Sequence, residues 1–188
     1  MKRSILGRFL MAALVLGAGV CGASTKDNAN LPQSDADVAK HVRHEVVMYP
    51  YYSIWDDISF RVTNGQVELM GAVNQPFKKS DIERLVKKVP GVTSITDEIK
   101  VLPLSNFDDR LRLQVARAIY RDPSFTRYAI QAVPPIHIIV DNGHVTLTGA
   151  VMNNMDKQIA GMRAAGAGLS FGPVTNNLTV DNPGKNKS

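Results

Sequence analysis

The 188-residue chain has one cysteine and one tryptophan, and aromatic residues make up only 6% of it. A single cysteine cannot close a disulfide within the chain, and it leaves no cysteine pair for a zinc or redox motif. The longest apolar run, Phe9 to Val20, is shorter than the ~20 residues that comfortably span a bilayer. The charge balance is not extreme either. It stands at +5, with Lys2, Arg3 and Arg8 contributing three of those charges ahead of the apolar run. Nothing in that balance marks a nucleic-acid binder.

Those three basic residues, the apolar run and the small residues Cys21-Gly22-Ala23 follow one another in the order of a secretory signal. Cleavage near Ala23 predicts a periplasmic mature protein without cysteine and with a net charge of about +2. The alternative is a lipoprotein anchored at Cys21, although Val20 departs from the usual lipoprotein pattern. Residues 24–33 are small and polar and read as a flexible tether.

The remainder is spelled twice. Val62-Thr-Asn-Gly-Gln-Val-Glu-Leu-Met-Gly-Ala-Val73 returns as Val140-Asp-Asn-Gly-His-Val-Thr-Leu-Thr-Gly-Ala-Val151, 78 residues later. An internal duplication explains the match. In each copy Asn-Gly (Asn64-Gly65, Asn142-Gly143) is the favoured two-residue hairpin turn, since both positions need positive φ. Around the first turn, Ile58, Phe60 and Val62 fall on one face with Val67, Leu69 and Gly71; Gly149 repeats Gly71. Each hairpin therefore has one apolar and one wet face.

Ser34 reads as an N-cap with Asp35 and Asp37 behind it. Val38, Val42 and Val46 follow at helical spacing up to Tyr49 and Pro50. Ile82, Leu85, Val86 and Val89 give a second amphipathic helix with a basic Lys78-Lys79-Arg84-Lys87-Lys88 exterior. Val92, Ile95, Ile99 and Val101 suggest a third strand, broken because the period is not strictly two. In the second copy the order repeats with a helix Asp108–Tyr120, strands 136–140 and 145–151, a helix near 155–165 and a strand 174–180. There the offset slips to 79, which a residue inserted in the Gly166-Ala167-Gly168 turn explains. Each copy is too small to bury a large core, so the two are expected to lean on each other.

A helix, a V-x-N-G-x-V-x-L-x-G-x-V hairpin, a helix and a G-V-x-x-V-x-x-x-(I/L)-x-V strand resemble the BON domain. The second copy has Phe171-Gly172-Pro173-Val174 where that pattern begins with Gly-Val. The resemblance implies an α+β fold of two tandem αββαβ domains, each a small three-stranded mixed sheet with two helices on one face. Copy 1 would span 34–102, a linker 103–106, copy 2 107–181 and a frayed tail 182–188. Two copies behind a signal resemble the osmotically inducible periplasmic and dual-BON outer-membrane lipoprotein branches of the family. That implies a non-catalytic module of the envelope and osmotic stress response, contacting anionic phospholipid or envelope proteins. In the lipoprotein branch the lipid contact lies on the first helix of the second domain.

The residues themselves offer little chemistry. His41 and His44 lie one helical turn apart but lack an obvious third ligand. His137 and His144 share a hairpin face yet stand roughly 13 Å apart at ~3.3 Å per residue. The paired acids Asp56-Asp57 and Asp108-Asp109 suit capping better than acid–base catalysis. Gly166-x-Gly168 follows a helix, the reverse of a dinucleotide fingerprint. No enzyme, metal or cofactor is expected.

The first helix of copy 2 is more informative. Arg110, Arg117 and Arg121 fall within about 40° of one another at 100° per residue, with Arg112 on the far flank and Arg127 beyond the helix. Residues 107–180 hold seven basic and five acidic residues, against nine and ten in 34–102. Arginine forks suit phosphate oxygens, and Tyr120, Phe125 and Tyr128 have the amphipathic rings favoured at a headgroup layer. Asp108, Asp109 and Asp122 are near enough to neutralise the stripe, which is the competing reading. A protein-binding module, using the wet hairpin faces or the edge of the third strand, is the alternative function.

Overall fold

The computed structural model describes residues 34–181. The elements are α1 (Asp35–Val47), β1 (Asp57–Thr63), β2 (Gln66–Val73), α2 (Pro76–Val86), β3 (Ser94–Asp97) and β4 (Lys100–Val101), then α3 (Asn106–Tyr120), α4 (Thr126–Ala129), β5 (Ile136–Asp141), β6 (His144–Val151), α5 (Asn154–Ala165), β7 (Thr175–Asn176) and β8 (Thr179–Val180). The signal, the tether and Cys21 lie outside the described residues, as does the tail from 182.

In each copy the hairpin strands pair antiparallel, and the broken third strand adds parallel to the second. This is the mixed sheet expected, with β1 and β5 at one edge and β2 and β6 in the centre. Asn64 and Asn142 have φ of 52° and 51°, and Gly65 and Gly143 of 75° and 78°, as the Asn-Gly turn requires. Val38, Val42 and Val46 pack with Leu69, Ile82 and Val86 in one core. Leu111, Val115 and Ile119 pack with Ile138, Leu147 and Ala160 in the other.

The break in the third strand has the same cause in both copies. Asp97 Oδ1 accepts from the N–H of Ile99 at 2.9 Å, and Asn176 Oδ1 from that of Leu178 at 3.3 Å. The side chain thus takes over a ladder bond for one residue. The bend turns Ile99 and Leu178 into the cores.

Helix-to-turn contacts align the first helices. Asp35 accepts from the N–H groups of Asn64 and Gly65, and Asp108 from those of Asn142 and Gly143. Asp35 and Asp108 are 73 residues apart, whereas the hairpins are 78 apart. Copy 2 therefore carries five extra residues between helix and hairpin, in a connection that forms a 3₁₀ turn (Pro123–Phe125) and α4. The one-residue slip also falls elsewhere than expected. Thr93 N–H donates to Gly65 O and Phe171 N–H to Gly143 O, still 78 apart. Glu68 pairs with Thr96 and Thr146 with Thr175, already 79 apart. The added residue lies at 172–174, not in the 166–168 turn.

The copies do lean on each other. Ile138 N–H donates to Ile54 O at 2.7 Å. Ile54 and Trp55 pack against the second core, while Ala72, Leu102 and Ile139 form a small cluster of their own. Lys100 pairs with Asp141, and the rings of Tyr52 and His137 stand 5.4 Å apart. The expectation of a wet second hairpin face thus fails at β5, which is buried on both sides.

Candidate functional site

α3 begins at an N-cap, Ser105, whose Oγ accepts from the N–H of Asp108. Leu111, Val115 and Ile119 face the core and fix the rotation of the helix. That rotation leaves Arg110, Arg117 and Arg121 exposed on the outer side, as the spacing predicts.

The acids that might neutralise this stripe have other partners. Asp108 is 1% exposed and holds the hairpin turn. Asp109 accepts from Arg112 at 2.5 Å. Asp122 accepts from Arg163 Nε at 2.6 Å and from the N–H of Ser124 at 2.9 Å. The Ser124 N–H and then the Arg163 fork hold the Asp122 carboxyl below the usual carboxylate range. Among the described residues, no acid lies within ion-pair distance of Arg110, Arg117 or Arg121.

Arg117 and Arg121 line an open groove of about 450 Å³ between α3 and α5, with Ala118, Asp122, Met162 and Arg163. Arg163, which sequence reasoning missed, enters this groove paired with Asp122, so the net charge there is that of Arg117 and Arg121. Arg163 comes from α5, and only the packing of α5 against α3 brings it to the stripe. Arg110 lines a smaller groove with Leu169. Met162 and Leu169 stand exposed in these grooves, and Leu113 is exposed elsewhere on α3. A band of cations with apolar side chains around it results.

Several expected members take other roles. Phe125 is 0% exposed and belongs to the second core, because the extra turn before α4 folds it inward. Tyr128 is buried as well. Tyr120 is half-buried, and its hydroxyl donates to Ile136 O at 2.5 Å, so its polar end is turned to the sheet. Neither Phe125 nor Tyr128 is placed to enter a headgroup layer; Leu113, Met162 and Leu169 occupy the exposed positions instead. Arg112 is not on a solvated flank. It is 4% exposed and donates to Val140 O at 2.7 Å as well as to Asp109.

Arg127 pairs with Asp156, which raises its pKa further. Asp156 also accepts from the Tyr128 hydroxyl, and Tyr128 Oη accepts from the N–H of Met152. In copy 1 the same places are filled with opposite charge. Asp56 accepts from the N–H of Asn74 and from Lys78 Nζ at 2.6 Å. Asn74 and Lys78 stand 78 residues before Met152 and Asp156. Lys78 therefore leaves the basic exterior assigned to it and sits 5% exposed in a buried ion pair. Of the acid pairs, Asp56 and Asp108 bind loop and turn N–H groups, a structural role.

His41 and His44 are exposed on α1, while His137 is buried beneath Tyr52. No helix among the described residues is long and apolar enough to cross a membrane.

No curated protein matches the chain. Two solved chains of CdsD, a structural protein of the type III secretion system of Chlamydia trachomatis, are similar at 16% and 15% identity, each with a TM-score of 0.30. The matches cover 77% and 79% of this chain, and 61% and 66% of those chains. The BON domain model matches residues 34–103 and again 107–182. The chain is a tandem member of the BON-domain family.

Proposed function

We propose that the protein is a non-catalytic binding protein of the periplasm that contacts anionic phospholipid through the outer face of α3. Its setting would be envelope or osmotic stress. The observation that carries this reading is the acid bookkeeping around α3: Asp108, Asp109 and Asp122 are all engaged, so Arg110, Arg117 and Arg121 keep their charge for an external partner. Arginine forks match phosphate oxygens in pairs, and Leu113, Met162 and Leu169 offer apolar contact beside them. The α1 helix has Asp35 and Asp37 in its first turn and no equivalent stripe. Membrane contact therefore belongs to the second copy.

Co-sedimentation with vesicles tests the reading. Binding is expected on vesicles containing anionic lipid and not on purely zwitterionic ones. Each cation near such a surface contributes about 1 kcal/mol, so Arg117→Glu with Arg121→Glu lowers the partition at least roughly thirtyfold. Equal recovery on both vesicle types, or an unaffected double variant, refutes it. The periplasmic placement rests on the order of residues in Met1–Ala23. The mass of the mature N-terminus separates a free Ser24 from a lipidated Cys21.

A further inference from the structure

The edges of the two sheets are finished differently. On β5 the N–H and C=O groups of Ile136, Ile138 and Val140 point away from β6, and three of these six have a partner. Tyr120 Oη donates to Ile136 O, Ile138 N–H donates to Ile54 O, and Arg112 Nη2 donates to Val140 O. The Ile54-Trp55 segment lies along this edge and packs into the second core.

The register of β1 is the same. Phe60 faces Leu69 as Ile138 faces Leu147, so the backbones of Ile58, Phe60 and Val62 present the corresponding groups outward. Their partners are missing from the sequence. At the 73-residue offset set by Asp35 and Asp108, Arg112 corresponds to Ala39 and Tyr120 to Val47. Neither replacement can donate a hydrogen bond. Among the described residues, no side chain or loop bonds to the outer edge of β1. What lies there is a groove of about 540 Å³ between α1 and β1, with Ala39 and Val47 in its wall and Lys40 and Arg43 beside them. In copy 2 those two cations are replaced by Leu113 and Ala116.

We infer that the α1/β1 groove is a docking site for an extended protein segment, which adds as a strand to β1. The segment has adjacent bulky apolar residues followed by a carboxylate. The apolar pair is specified by what fills the equivalent place in copy 2, Ile54-Trp55. The carboxylate is specified by Lys40 and Arg43, found only at the copy-1 groove. Strand addition supplies backbone bonds and the groove supplies selectivity. This site is separate from the α3 surface. It also differs from the third-strand edge suggested by the sequence, which the Asp97 and Asn176 bends interrupt.

The test titrates a labelled peptide copying residues 52–58 (Tyr-Ser-Ile-Trp-Asp-Asp-Ile) into the full chain, by anisotropy and by amide chemical shifts. Saturable binding is expected below ~1 mM, with shifts at residues 39–47 and 58–62. Ala39→Arg with Val47→Tyr installs the copy-2 donors on the edge, so the peptide loses two backbone acceptors; about tenfold weaker binding is expected. Lys40→Glu with Arg43→Glu alters only exposed side chains and is expected to weaken it comparably. No saturation, shifts confined to 107–181, or undiminished binding by both variants overturns the inference.

Discussion

At the scale of single residues, the glycine of each Leu-x-Gly motif shows how little latitude the hairpins have. Gly71 and Gly149 have φ of 111° and 101°, a region L side chains rarely adopt. A Cβ on Gly149 would stand 1.9 Å from Pro135 O, and one on Gly71 2.0 Å from Asp57 O. Both obstacles are backbone and cannot rotate away. Gly149→Ala is expected to destabilise the protein by at least about 2 kcal/mol in denaturant unfolding. Gly166→Ala is the control: it meets only Met162 O at 3.6 Å, so a change within about 0.5 kcal/mol is expected. Equal losses at both positions would contradict this account. The sequence flagged these glycines through repetition, but the carbonyl that makes them necessary appears only when the strand before the turn is placed.

At the scale of elements, the duplicated loop-to-helix joint shows the same job done by opposite chemistry. In copy 1 a loop carboxylate, Asp56, meets a helix cation, Lys78; in copy 2 loop groups, Arg127 and Tyr128, meet a helix carboxylate, Asp156. Either arrangement ties the start of the second helix to the loop before the hairpin and satisfies the N–H that follows the second strand. Asp56 is 0% exposed, so Lys78→Met strands a buried carboxylate and is expected to cost about 3–5 kcal/mol. Adding Asp56→Asn recovers part of that loss, since the remaining amide is neutral. A double variant no more stable than Lys78→Met would show that the pair is not the reason. Sequence reading placed Lys78 on the exterior because a lysine on an amphipathic helix normally belongs there. Its partner comes from 22 residues upstream, which no helical periodicity can reveal.

At the scale of the whole molecule, the two copies form an asymmetric pair. Copy 1 gives its 52–56 loop and the end of its sheet to β5, and α3 is left with its basic face outward. Tyr52 sits at this junction, and burial, with Asp57 and Asp56 nearby, pushes its hydroxyl up to about 12. Unfolded tyrosine titrates near 10, so the folded state holds this proton more tightly. The stabilisation is complete below pH 10 and is lost as pH rises from 10 towards 12. Denaturant midpoints across that window are expected to fall more steeply for the wild type than for Tyr52→Phe. Parallel curves would remove Tyr52 from the account.

The sequence by itself determined the duplication, the turns, the helix faces and the rotation of α3, because these depend on periods of two and 3.6 residues and on local φ. Arg110, Arg117 and Arg121 were legible for that reason. Tertiary structure decided which charges stay available and which rings stay outside. Asp122 is drawn to Arg163, Arg127 to Asp156, and Phe125 into the core, each by a partner from a distant element. It also decided which sheet edge is partly covered, since three partners for β5 converge from α3 and from the other copy. Electrostatic pairing and edge satisfaction act between segments far apart in the chain, and only the fold brings those segments together.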